Sequence, residues 1–271
     1  MLQTAVGEPL ARYVQQHPDM KVSVELAGSV VALSGLKKGV TQLAIIASPV
    51  GQIPAPAEFK AVLFCYSADY IIVNKDNPLN ALDLNQVASV FGTTQQSYTL
   101  WGQLHLTAEW APRPIIAYST STDDGVVIEL FKNQALRGTA LKPTVRVTKS
   151  PQEMIKNVAD NPNAIGLGGF DPATPGKVKV VLLALPNSTT GPAAAKDPVA
   201  PTPENVFSGA YPLRLPFYLV FNPADKARVL PLLNLILSPE FAGYLRQEHF
   251  IPLSDTERNR ALFDLELDKP N

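Results

Sequence analysis

Tyr118 to Phe131 reads YSTSTDDGVVIELF, and it holds four consecutive hydroxyls: Ser119, Thr120, Ser121 and Thr122. Asp123, Asp124 and Gly125 follow, and then an apolar run from Val126 to Phe131 broken only by Glu129. Ser, Thr and Asp are favoured where a helix begins, because their oxygens accept its unpaired N–H groups. The N–H groups left over, with the positive end of the helix dipole, suit an anion. The spacing predicts a strand ending near Ala117, a polar loop, and a helix from about Thr122–Gly125 to about Leu136. Two further exits carry small hydroxyls, Gly28-Ser29 and Ser48. Three convergent hydroxyl loops point to a bound oxyanion more strongly than one capped helix does. An enzyme using Ser121 with Asp123 is the catalytic rival, and it lacks a positioned base. His17, His105 and His249 are dispersed, without the spacing of a zinc site. No nucleophile elbow, phosphate-binding P-loop or dinucleotide fingerprint occurs. No catalytic residue, cofactor or metal is expected.

The chain has 271 residues, with 23 basic and 24 acidic side chains, and 46% of its residues are hydrophobic. That length suits one large or two ordinary domains with a sizeable core. The near-zero net charge gives no nucleic-acid footprint. No apolar run is long enough to span a membrane. The lone Cys65 lies in an apolar stretch and reads as a small buried hydrophobe. Met1-Leu2-Gln3-Thr4 leads straight into amphipathic sequence, so a signal peptide is not expected in this chain, which fits a mature or trimmed form. Proline is abundant, 25 residues, with clusters at 49–56, 112–114 and 186–223 that mark connections.

The elements that must position these hydroxyls follow from periodicity. Helices are expected over Met1–Gln16, Val30–Lys38, Ala81–Val90, from Ser150 to Asn161, over Ala224–Leu237 and Pro239–Gln247, and after the Ser254/Glu257 capping box. Strands are expected at Val22–Leu26, Leu43–Ala47, Ala61–Phe64, Tyr70–Asn74, Ile115–Tyr118, Val145–Val147, Ala164–Leu167, Val178–Leu185 and Leu213–Phe221. Pro216 marks the last as an edge or bulge. Residues 186–204 read as linker, Gly166 to Gly169 as a turn after a strand, and Leu262–Leu267 as helix end or strand. Trp101 and Trp110 read as core or surface aromatics, and Arg113 as a solvated loop residue. This alternation predicts an α/β protein with mostly parallel sheets, whose ligands lie beyond the carboxyl ends of strands.

Several stretches resemble, in order, the phosphate-binding family of periplasmic solute receptors, the substrate-binding components of ABC importers. Leu26-Ala27-Gly28-Ser29-Val30 is similar to its glycine-serine loop, and Gln42–Pro49 (QLAIIASP) to its aspartate…Gly-Ala-Ser…Pro segment. Ala68–Pro78 resembles the strand entering the second lobe, and Leu84–Gly92, with Trp101 or Trp110, the segment after it. Ser121-Thr122-Asp123 ahead of Phe131 sits where the family has Ser-Gly-Thr, and Asn161–Gly166 resembles its Asn-Pro-Gly-Ala-Ile-Gly strand entry. The likeness covers roughly residues 20–170.

The resemblance implies a two-lobed periplasmic-binding-protein-like fold, with lobe I over 1–74 plus 171–271 and lobe II over 75–170. It implies a monomer that clamps a small oxyanion, phosphate above all, and delivers it to an ABC permease from the periplasm. Gly28, Ser29 and Ser48 would serve from lobe I, and Ser119, Ser121, Thr122 and Asp123 from lobe II. The chain departs from the pattern in four ways. The family's first strand and its loop have no counterpart, Gln42 replaces its aspartate, and Ala117-Tyr118 stands where an arginine is usual. Thr122-Asp123 replaces Gly-Thr, so a carboxylate stands where the family has a neutral donor. The alternative is a degenerate domain acting as a sensor or interaction module with a changed or lost ligand.

Overall fold

The computed structural model describes residues 15, 16, 18, 22, 23, 25, 28–120, 136, 140–168, 176–185 and 197–267. The chain divides into two units, 1–67 with 215–271, and 68–214.

In the first unit a four-stranded sheet runs in the order β1 (Leu43–Ala47), β10 (Arg214–Phe221), β2 (Lys60–Ala68), β11 (Ile251–Pro252). β1 pairs antiparallel with β10 and β11 antiparallel with β2. Helix α1 (Ser29–Lys37) packs on β1, burying Leu36 with Ala44, Ile46 and Val220. It ends at Gly39, whose φ of 69° suits glycine. Three C-terminal helices belong to this unit: α5 (Lys226–Ile236), α6 (Pro239–Gln247) and α7 (Asp255–Leu267). Arg258, buried on α7, donates to the Leu253 carbonyl and pairs with Asp255 at 2.7 Å.

The second unit holds a five-stranded sheet in the order β6 (Arg146–Thr148), β5 (Ile116–Thr120), β7 (Ala164–Gly168), β3 (Tyr70–Asn74), β8 (Val178–Val180). β5 runs parallel to β6 and β7, while β3 runs antiparallel to β7 and β8. Helix α3 (Pro151–Ala159) packs Met154 and Val158 onto Ile72, Tyr118 and Ala164. β4 (Ala81–Asp83) pairs with β9 (Leu182–Ala184) and leads into helix α2 (Leu84–Phe91). A short helix α4 (Pro203–Ser208) lies before β10.

The α/β class holds, but the sheets are mixed, not mostly parallel. The expected helix over Ala81–Val90 splits, because Asp83 caps α2 and leaves 81–83 extended. β10 lies between β1 and β2, so Pro216 is on an internal strand. Its carbonyl takes the Ser48 N–H one residue past the β1 ladder, and the ring leaves no N–H to return that bond, so the ladder stops at Ala47 and Phe217. Gly166 and Gly168 lie within β7, not in a turn. A Cβ on Gly166 would stand 3.0 Å from Ile72, 3.1 Å from Val158 and 3.2 Å from Met154, so a bare backbone lets α3 approach. Val178–Leu185 forms two strands broken at Val181, and Pro203-Glu204 begin α4 instead of ending a linker. Leu262–Leu267 is helical. Most of Met1–Gln16 and Val22–Leu26 lies outside the described residues. The units divide at Ser67/Ala68 and Arg214/Leu215, where the sequence reading places 74/75 and 170/171. The reason is β3, which pairs with β7 and β8 in the second unit's sheet.

Candidate oxyanion site

Gly28 is the N-cap of α1, extended at φ −65° and ψ 159°, with no side chain to satisfy the first turn. Ser29 opens the helix, and its Oγ accepts the Ala47 N–H at 3.1 Å. That one bond fastens the start of α1 to the end of β1 and sets Ser29 beside Ser48. A serine oxygen that accepts there keeps its own proton to donate. Ser48 is buried, and its hydroxyl donates to the Gln52 carbonyl at 3.4 Å. Gln52 in turn donates its N–H to Pro49 O, closing the Pro49–Gln52 turn over the strand end. Gly28, Ser29 and Ser48 are therefore together, at the carboxyl end of β1 and the N-terminus of α1.

In the second unit β5 runs two residues beyond the expected Tyr118. Ser119 is thus a strand residue, fully buried, with its hydroxyl toward Thr120 O at 3.3 Å. Its carbonyl accepts from Thr148 Oγ1, which also points at Ser150 O, both at 3.2 Å. Ser150 caps α3 through the Glu153 N–H. The sequence reading missed Thr148, which ties the ends of β5 and β6 together; the signal was its threonine two residues before the Ser-Pro helix start. Ser121, Thr122 and Asp123, with the helix expected to follow them, lie outside the described residues.

Of the other side chains weighed, Arg113 is not simply solvated. It stacks 4.3 Å from the Trp110 ring and donates to Glu109 O, and Trp101, buried, meets Trp110 edge-on. Lys142 is buried too, and its Nζ donates to the carbonyls of Ser89 and Tyr98, where burial lowers its pKa. Cys65 is fully buried, and burial raises its thiol well above the ordinary range. Asp69 carries no prediction from sequence, yet it is fully buried with both carboxyl oxygens unpartnered. Among the described residues no group of His, Cys, Asp and Glu could hold a metal, and no helix is long and apolar enough to cross a membrane.

Comparison with known proteins agrees with this architecture. Phosphate-binding protein PstS of Pseudomonas aeruginosa is 28% identical over 271 residues, an alignment covering 94% of this chain and 81% of the relative. Protein SphX of Synechococcus elongatus is 28% identical over 193 residues, 69% of this chain and 54% of that one. Two solved structures share the fold. One is an ABC-type phosphate transport receptor from Vibrio cholerae, with TM-score 0.71 and 19% identity, covering 92% of this chain and 96% of that one. The other is a possible phosphate-binding protein from Planctomyces limnophilus, with TM-score 0.76 and 15% identity, covering 97% and 95%. The PBP superfamily domain matches residues 2–245, which takes in segments of both units, and the chain belongs to that family.

Proposed function

We propose that this chain is a solute-binding protein that holds a small oxyanion, inorganic phosphate, for ABC-type uptake outside the cytoplasm, and that it performs no chemistry on it. The observation that carries the reading is the Ser29–Ala47–Ser48 arrangement, in a chain that aligns over 94% of its length with a phosphate-binding protein. The first unit supplies the Ser29 hydroxyl and the N-terminus of α1. Hydroxyl and amide donors can hold an oxyanion without arginine once water is excluded, because each donor is stronger at low dielectric. Delivery to a membrane permease and a periplasmic address belong to the same reading.

The two serines are not equivalent in it. Ser48 spends its proton on Gln52, whereas Ser29 accepts from Ala47 and keeps its own proton to donate. Hydrogen bonds to charged groups contribute about 1.5–3 kcal/mol. Ser29→Ala is therefore expected to weaken phosphate binding by roughly 10- to 150-fold, and Ser48→Ala by less than about tenfold. Isothermal titration with phosphate reads both. Wild-type affinity in Ser29→Ala removes Ser29 from the site. Absence of heat from phosphate, sulfate and molybdate with the unaltered chain leaves the interaction-module reading, which Asp123 in place of a neutral donor favours.

A further inference from the structure

The chain passes from the first unit to the second between Ser67 and Ala68, and back between Arg214 and Leu215. Asp69 lies one residue beyond the first passage and is bonded to the residues just before the second. Its N–H donates to Leu213 O at 3.0 Å, and its carbonyl accepts the Tyr211 phenol at 2.6 Å. Tyr211 is itself fully buried, so the clasp is dry. Between these two bonds stands a carboxyl with no solvent exposure and no hydrogen-bond partner on either oxygen. A carboxylate so placed is strongly disfavoured; the neutral acid is tolerated.

We propose that Asp69 is a proton-operated clasp on the two chain passages, closed while its carboxyl is neutral and released when it ionises. Burial pushes this carboxyl well above the ordinary carboxylate range, in accord with the geometry. Two phenols stand beside it, those of Tyr211 and Tyr70. Tyr211 is raised by burial first, then by Asp69 and by Tyr70, so neither phenol supplies a compensating positive charge. Arg214, next along the chain from Leu213, turns its Nη1 to the carbonyls of Val206 and Phe207 at the end of α4. Ionisation of Asp69 therefore puts an unpaired charge into a buried site, and the segment relieves it by opening to water. The clasp lies wholly within the second unit and is independent of which ligand the protein holds.

Amide hydrogen exchange of the full chain, followed residue by residue by NMR, tests this. Protection of the residue-69 amide in the wild type is expected to fall at least about tenfold as pH rises through the titration of the Asp69 carboxyl, above the ordinary carboxylate range, after correction for the intrinsic rate. The amides of Ile72 and Val73, deep in β3, serve as the internal reference and hold their protection. Asp69→Asn keeps the residue-69 amide protected across the same rise in pH. An equal fall in wild type and variant overturns the proposal. Should Asp69→Asn fail to fold, the carboxyl carbon resonance of Asp69 in the wild type decides: titration above the ordinary carboxylate range supports the clasp, and titration within it overturns it.

Discussion

Asp69 shows what one side chain can cost. A carboxyl whose proton is held more tightly in the folded state than in the unfolded chain opposes folding as pH rises. Below the ordinary value near 4 both states carry the proton, and the group contributes nothing. Above that value the unfolded chain gives up its proton while the buried acid keeps it, so stability falls until the folded group ionises as well. Asp69→Asn cannot ionise and is expected to gain on the wild type from about pH 4 upward, by as much as about 1.4 kcal/mol per pH unit. Urea unfolding at a series of pH values measures the difference; parallel curves contradict it. Nothing in the sequence singled out this residue. ADYIIVN reads as a strand, and only the fold shows that Tyr211 and Leu213 close over its beginning. Ser29 and Ser48 were legible for the opposite reason, since each stands next to the strand or helix end that fixes its place.

At the scale of the element, periodicity and capping carried the reading furthest. Leu43–Ala47, Tyr70–Asn74 and Pro239–Gln247 have the expected bounds, because each is bracketed by residues that end it. Ser150 and Glu153 make the helix start that their spacing promised. The failures share a cause: tertiary contact outweighed local pattern. Gly166 and Gly168 look like a turn in isolation, but β7 is held extended between β5 and β3, and α3 lies on Gly166. Gly166→Val would drive two methyls into Ile72, Val158 and Met154, and overpacking of this kind costs typically about 1–3 kcal/mol. Thermal or urea unfolding checks it; wild-type stability would mean that α3 can move away freely. Pro216 misled in the same manner. On an internal strand a proline is acceptable where the ladder ends, and the sequence does not say where the β1 ladder stops.

For the whole molecule, the family and the α/β class were legible from short stretches in order, none of which is decisive alone. The parallel character of the sheets was not, because β3, β8 and β10 return to their sheets antiparallel from distant parts of the chain. The lobe limits of 74/75 and 170/171 came with the resemblance, whereas the two units follow strand pairing: β3 joins the second unit and β10 the first. The proposed function belongs to this scale, since it concerns what the whole chain holds. Equilibrium dialysis of the wild-type chain against radiolabelled phosphate, with sulfate as competitor, tests it most directly. The account predicts one phosphate per chain, at a sub-micromolar Kd, not displaced by equimolar sulfate. Phosphate equally distributed across the membrane would contradict it.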